Sequence, residues 1–451
     1  MQQHDHGIKR KKIVIVTQYF PPEIGGAAHR SVGFAEELAT LGADVTVIAP
    51  FPSYLMHGGR PRFRFRLFER ERRENFVVYR TFVAMNNRRS FGKRLVYYLS
   101  FTLSAILVLL LRIKEADYIM AISPPIFTGI VGIVAKRLRA AIFVLDVGDL
   151  WSEAAVQLQI LRKPSSIRRA RRFERWVYQN ADHINLVTRR TFDRLCDDRS
   201  LRARMSLVPN FVDTTFIMKG PPHTNLARHL GLSGKMVFGY TGNIGHAQGI
   251  QNIVHAAQLT RQIEDIIYLI IGEGVEQPDV ERLIRDHALN NVILHPPVSR
   301  EEIPAFLSLI DVMIIPLVKA ELFKETGPSK LYESMAAEIP VILCVDGEAR
   351  RIVERSRCGV YVEPGDPVQL AGAVLDFYQH PERIGELGPN GRTMAVEQFA
   401  IEKVVGEFWE ELAGPMTGVA EQASPAVYGF PQAAGSTRAR ERYPALRIRR
   451  G

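Results

Sequence analysis

The sequence predicts an α/β chain of two doubly wound, Rossmann-like parallel-sheet domains facing each other across a cleft. Three observations carry this expectation. Short apolar, β-branched runs alternate with segments of helical periodicity, the pattern of repeated βαβ units. The pattern breaks near Asp213 and restarts at Met236. A chain of 451 residues, 46% hydrophobic, is ample for two packed cores and too long for one ordinary core.

Taken in order, Lys12–Thr17 is a short β-branched run that reads as a buried parallel strand. A loop containing Gly25-Gly26 follows, then helical spacing from Ser31 to Leu41 and a second strand at Asp44–Ala49. Strand patterns recur at Tyr118–Ile122, Ala141–Leu145 and His183–Val187, so residues 8–212 form the first domain. Pro221-Pro222 and scattered glycines mark residues 213–235 as a connector. Strands at Met236–Thr241, Ile266–Ile271, Val292–Leu294, Val312–Ile315 and Val341–Cys344 build a second domain over 236–393. Residues 394–412, with Phe399, Val404, Val405 and Phe408, read as a closing amphipathic helix. From 413 to 451 small residues, prolines and arginines suggest a disordered basic tail.

Composition narrows the chemistry. Three cysteines, Cys196, Cys344 and Cys358, stand far apart and form neither a disulfide framework nor a metal-ligand cluster, so a reducing compartment is expected. The polar N-terminus leads directly into a strand without a secretion signal, which points to a cytoplasmic location. A net charge of +10 favours anionic partners without choosing among nucleic acid, acidic lipid and phosphorylated substrate. No recognised RNA-binding signature accompanies it, so no nucleic-acid partner is expected.

The richest stretch is Glu325-Thr-Gly-Pro-Ser-Lys-Leu-Tyr-Glu333. It follows a buried-strand pattern and runs into a helix. Glu325 is therefore expected in the loop and Glu333 about one turn into the helix. Free N–H groups at a helix start suit a phosphate, and Lys330 adds a full charge there. Glu333 can accept two hydrogen bonds from a ribose diol, and Glu325 can do the same for a second sugar. Gly327 and Ser329 lie between them. An acidic loop before a capped helix has the same pattern.

Two glycine loops follow the first strand of each domain. Gly25 and Gly26 permit close approach of a ligand to the backbone, and equally suit a plain strand–helix turn. The second loop, Gly239 to Gly249, contains Gly242, Asn243 and Gln248. The Gly25-Gly26 loop is not Gly-x-Gly-x-x-Gly, so the nicotinamide-cofactor fingerprint is missing and no cofactor is expected. Asp146 and Asp149 end the Ala141–Leu145 strand, which places carboxylates at the cleft edge. Asp149 reads either as a helix cap, with Trp151 in the core, or as a group that orients an acceptor hydroxyl. Asp-x-Asp occurs nowhere, so no metal site is expected. His29 and His246 read as incidental loop histidines.

The Glu325–Glu333 stretch resembles the E-x7-E motif of retaining glycosyltransferases, family 4, of the GT-B fold. Its Pro-Ser-Lys-Leu-Tyr-Glu wording is similar to the bacterial surface-polysaccharide branch that includes fucosamine-transferase-like enzymes. The resemblance covers about residues 10 to 412. It implies a hexosyl or N-acetylhexosaminyl transferase that uses a nucleotide-sugar donor, UDP foremost, and a lipid-linked or glycan acceptor. In that family the second Glu grips the ribose and the first contacts the donor sugar. The family often carries Arg and Lys where this chain has Asn243 and Gln248. That departure leaves Lys330 as the charge on the leaving diphosphate. The resemblance thus makes Glu325, Lys330 and Asp149 the catalytic set. A GT-B-fold sugar-nucleotide epimerase is the alternative.

Leu95–Leu111 is uncharged and mostly apolar, bounded by Arg94 and Arg112. At about 25 Å it is at or below spanning length. A core or membrane-surface helix fits better, since spanning would split the first domain between two sides. The arginine-rich stretch from Arg60 to Arg73 suits an anionic membrane surface, so a peripheral place on the inner face of the cytoplasmic membrane is expected.

Overall fold

A computed structural model describes residues 10–23, 25–53, 66–84, 91–157 and 161–414. The basic tail beyond 414 and arginines 60, 62 and 64 lie outside the described residues. The first sheet contains β1 (Lys12–Val16), β2 (Asp44–Pro50), β3 (Phe68–Arg72), β4 (Val77–Thr81), β5 (Tyr118–Ser123), β6 (Ile142–Val147), β7 (His183–Leu186) and β8 (Met205–Leu207), in the order β3-β4-β2-β1-β5-β6-β7-β8. All its pairs are parallel except β3 with β4. The second contains β9 (Met236–Thr241), β10 (Ile266–Ile271), β11 (Val292–His295), β12 (Val312–Pro316), β13 (Val341–Cys344) and β14 (Gly359–Tyr361). It is parallel throughout, in the order β11-β10-β9-β12-β13-β14.

Each sheet is a middle layer with helices on both faces, because alternate strand residues point to opposite sides. Val14 and Val16 pack with Tyr97, Phe101 and Val108, whereas Ile13 and Ile15 pack with Phe34, Val404 and Phe408. In the second domain Val237 and Met313 enter one core and Phe238 and Ile314 the other.

Residues 394–412 do not form one continuous helix. A π-helical turn at Ala395–Phe399 and an extended Ala400 break it, and the helix restarts as Ile401–Ala413. The break lets Ala400 bridge to Val212, where the chain leaves the first domain, with Val212 N donating to Phe399 O at 2.9 Å. Val404, Val405, Phe408 and Trp409 then bury against the first sheet. The connector holds a short helix, Thr224–His229, and packs Ile217 and Leu232 into the second domain.

The apolar segment lies in helix Phe91–Arg112, whose length and composition would suffice to cross a bilayer. One face carries Tyr97, Phe101, Ala105 and Leu109 into the first-domain core. The other exposes Val96, Leu103, Leu110 and Leu111, with Leu103 68% exposed. Of the described arginines nearby, Arg66 pairs with Glu69, Arg73 and Arg80 pair with Glu71, and Arg112 stacks over Phe68.

Candidate active site

Strand order in the second sheet turns at β9 and β12, so the loops after these two strands meet at one place, the topological switch point where open α/β sheets bind ligands. Gly242 follows β9 with φ 128°, a conformation that favours glycine. A Cβ there would lie 2.8 Å from Lys330 Nζ. Lys330 comes from the first turn of the helix Ser329–Ala336 beyond β12, and its ammonium sits 5.2 Å from the Tyr240 ring centre. Burial pushes the Lys330 ammonium below its ordinary value, and Glu333 partly offsets this. Asn243 and Gln248 face one another at 3.5 Å, and Tyr240 donates to the Asn243 carbonyl at 2.6 Å.

Glu333 lies on the same helix, one turn beyond Lys330. Burial would raise its carboxyl, but His29, Lys330 and Arg300 together outweigh it, and the group rests below the usual glutamate value. His29 Nδ1 stands 3.7 Å from Glu333 Oε1. His29 belongs to the helix Gly26–Thr40 of the first domain, so it is a cleft residue and not an incidental one. Gly25, with φ 141°, precedes that helix. A Cβ on Gly26 would come within 3.7 Å of Ser329 Oγ. Asn210 Nδ2 donates to Gly327 O at 2.7 Å, while a Cβ on Gly327 would meet the Tyr332 hydroxyl at 2.5 Å. The two domains are thus in contact through Gly26, His29, Asn210, Gly327, Ser329 and Glu333.

Glu325 ends a 3-10 helix, Glu321–Glu325, and reaches the first domain instead of standing free in its loop. Its Oε1 accepts from Arg194 Nη1 at 3.1 Å and lies 3.5 Å from Arg190 Nε. Asp149 is nearby: burial, then the Glu325 charge, pushes its carboxyl up. The helix Trp151–Gln157 begins after it, but the Asp149 carboxyl accepts no capping N–H and has no hydrogen-bond partner among the described residues.

Asp146 departs from the cleft-edge expectation. It is fully buried and holds Arg30 with both oxygens, to Nε and Nη2, each at 2.8 Å. Arg30 also donates to the carbonyls of Val208 and Pro209 at 2.9 Å. One side of β6 faces the helix Gly26–Thr40, and that is where Asp146 points. The pair fixes the segment that presents Asn210 to the second domain.

Among the described residues no cluster of three or more His, Cys, Asp or Glu side chains could hold a metal. What the site offers is a half-buried cation at a helix N-terminus beside a glycine loop, a carboxylate one turn further along the same helix, and a second carboxyl across the cleft with no hydrogen-bond partner among the described residues. That combination suits an anionic diphosphate joined to a sugar.

Both halves of the chain match known families. Residues 25–210 match the family described as Glycosyl transferase 4-like domain, and residues 224–394 match Glycosyl transferases group 1. The chain is a glycosyltransferase of the two-domain GT-B fold. It is 25% identical over 332 residues to the putative colanic acid biosynthesis glycosyl transferase WcaI of Escherichia coli K12, a match covering 72% of this chain and 81% of that protein. To the probable glycosyltransferase WbjE of Pseudomonas aeruginosa it is 29% identical over 240 residues, 51% of this chain and 58% of that one. Sucrose-phosphate synthase from Thermosynechococcus elongatus has the same architecture, with a TM-score of 0.71 at 18% identity over 90% of this chain and 99% of that one. HepE from Anabaena, solved with UDP-glucose, gives 0.66 at 15% identity over 90% and 100%.

Sequence reasoning missed His29, Arg190 and Arg194. His29 lay within reach of inference, since it stands one turn after Gly26 on a helix aimed at the cleft. The arginines carried no signal, because their partner Glu325 belongs to the other domain.

Proposed function

We propose that the protein transfers a hexosyl or N-acetylhexosaminyl group from a UDP-sugar to a lipid-linked or glycan acceptor in bacterial surface-polysaccharide synthesis, with retention of anomeric configuration. The observation that carries this reading is Lys330. Its half-buried ammonium lies against the glycine loop at the second-sheet switch point, where a diphosphate needs charge. The kinship with WcaI, named for colanic acid biosynthesis, supports the polysaccharide setting, and HepE shows that this architecture can hold UDP-glucose.

In this reading Glu333 takes the ribose hydroxyls, and Lys330 with the N–H groups of the helix Ser329–Ala336 takes the diphosphate. Gly242 and the neutral donors Asn243 and Gln248 border it. Gly25 and Gly26 close the other side, with Gly327 and Ser329 opposite. Donor-sugar hydroxyls compete with Arg190 and Arg194 for Glu325. The bond from the anomeric carbon to the diphosphate oxygen breaks, leaving an oxocarbenium-like sugar. The acceptor hydroxyl, oriented by Asp149, attacks the face just vacated. Its proton passes to the leaving phosphate oxygen. The protein positions groups and stabilises charge throughout, and the scheme invokes no divalent metal. The leucine face of Phe91–Arg112 would rest on the inner leaflet of the cytoplasmic membrane, next to a lipid-linked acceptor.

The test is product analysis after incubation with a panel of UDP-sugars, with and without a polysaccharide-precursor acceptor. Acceptor-dependent glycosyl transfer supports the reading. Conversion of the donor to its epimer without acceptor would instead favour an epimerase, a reading that the named relatives WcaI and WbjE do not favour.

A further inference from the structure

Resting on this reading of the cleft, we infer that a cavity in the first domain, beside Glu325, is a subsite for a phosphate group carried by the acceptor. The cavity holds about 460 Å³ between the helices Trp151–Gln157, Pro164–Asn180, Arg189–Leu195 and Arg199–Arg202. That volume suits a small ligand group. Arg194 lines it, and the same guanidinium donates to Glu325 at 3.1 Å. The cavity therefore adjoins the residue assigned to the donor sugar, on the acceptor side.

Its charges are unevenly satisfied. Four arginines line it: Arg171, Arg175, Arg194 and Arg199. Among the lining acids, Glu153 is paired with Arg194, and Asp198 with Arg175 at 2.9 Å. Glu174 is buried and held by the Ser152 hydroxyl at 2.5 Å, and burial pushes its carboxyl up. Asp197 is left against Arg171 and Arg199, neither of which has an ion-pair partner among the described residues. Arg168, Arg169 and Arg172 continue along the exposed face of Pro164–Asn180, equally unpaired among those residues. Four arginines and four acids line the cavity and Arg194 also holds Glu325, so the positive surplus lies along the helix Pro164–Asn180 that leads from it. Guanidinium forks match phosphate geometry with two parallel N–H bonds, and arginine is weakly hydrated, so unpaired arginines around a cavity select phosphate over a neutral glycoside.

Calorimetric titration of the purified full chain with inorganic pyrophosphate tests this. Wild type is expected to show two anion sites. Arg171→Glu with Arg199→Glu should weaken one of them by about tenfold or more, and Lys330→Ala the other. Both arginines are exposed, and Arg171→Gln with Arg199→Gln supplies a milder variant whose melting temperature confirms folding. Pyrophosphate binding that depends only on Lys330 would overturn the inference. Binding lost in the arginine variants but unchanged in Lys330→Ala would sustain it while removing the donor-site reading. In Lys330→Ala protein, farnesyl diphosphate in detergent and glucose 1-phosphate then compete for the remaining site. Displacement by farnesyl diphosphate assigns the subsite to a lipid-linked acceptor, and displacement by glucose 1-phosphate to a soluble phosphorylated one. Displacement by neither overturns the acceptor assignment.

Discussion

Replacing Asp146 by Ala removes both acceptors of a guanidinium that is itself 6% exposed. Arg30 would keep its bonds to Val208 and Pro209 but lose the one countercharge it has among the described residues, at 2.8 Å. Breaking a buried pair from one side costs about 3–5 kcal/mol, because a buried charge is left uncompensated. For a domain of this size each kcal/mol lowers the melting temperature by about 2–4 °C, so the melting temperature should fall by roughly 6–20 °C. Calorimetric melting reads this shift. The companion Arg30→Met with Asp146→Leu leaves no charge behind, so it should lose much less than Asp146→Ala alone. A single-variant loss under about 1 kcal/mol, or a double variant as damaged as the single, would refute the claim that the pair's own charge balance holds the segment carrying Asn210.

Lys330→Ala should lower kcat/KM by roughly 100- to 1,000-fold with the melting curve intact, the usual effect of removing one preorganised donor from a developing charge. Burial lowers the Lys330 pKa in the empty site and a bound diphosphate would raise it, so UDP affinity should fall as pH rises through the free-state pKa, which lies beneath 10.5; calorimetric titration across that range should show a flat profile in Lys330→Ala. Gly242→Ala forces a Cβ to 2.8 Å from Lys330 Nζ at a backbone angle only glycine favours, costing about 1–3 kcal/mol in strain. Its activity loss should be less than additive with Lys330→Ala in a double-mutant cycle, and full additivity would deny their contact. Leu103→Glu with Leu111→Glu should release the protein from anionic vesicles in a sedimentation assay while leaving its melting temperature within about 1 °C, since both side chains are exposed.

The strands easiest to read were those buried on both faces. Met236–Thr241, Ile266–Ile271 and Val341–Cys344 are short, apolar and β-branched, and their bounds follow from composition alone. Phe68–Arg72 escaped because it is a charged antiparallel edge strand, Phe-Glu-Arg-Glu-Arg, which lacks an apolar face of its own. Gly359–Tyr361 is too short to carry a pattern. In the site, the loop-to-helix passage through Lys330 and Glu333 was legible because its grammar is local. The contacts across the cleft were not. Arg194 meets Glu325 at a separation of 131 positions and Asn210 meets Gly327 at 117, and neither pairing leaves a trace in periodicity. Asp146 misled for a related reason: strand end and cleft edge coincide in sequence, but its side chain turns toward Arg30, 116 positions away.

NMR of the product formed from a UDP-sugar and acceptor, with excess chelator present, tests the central claim most directly. The proposed mechanism predicts continued turnover and a product anomer of the same configuration as the donor, with turnover sharply reduced in Lys330→Ala. An inverted anomer, or turnover abolished by chelator and restored by magnesium, would contradict it.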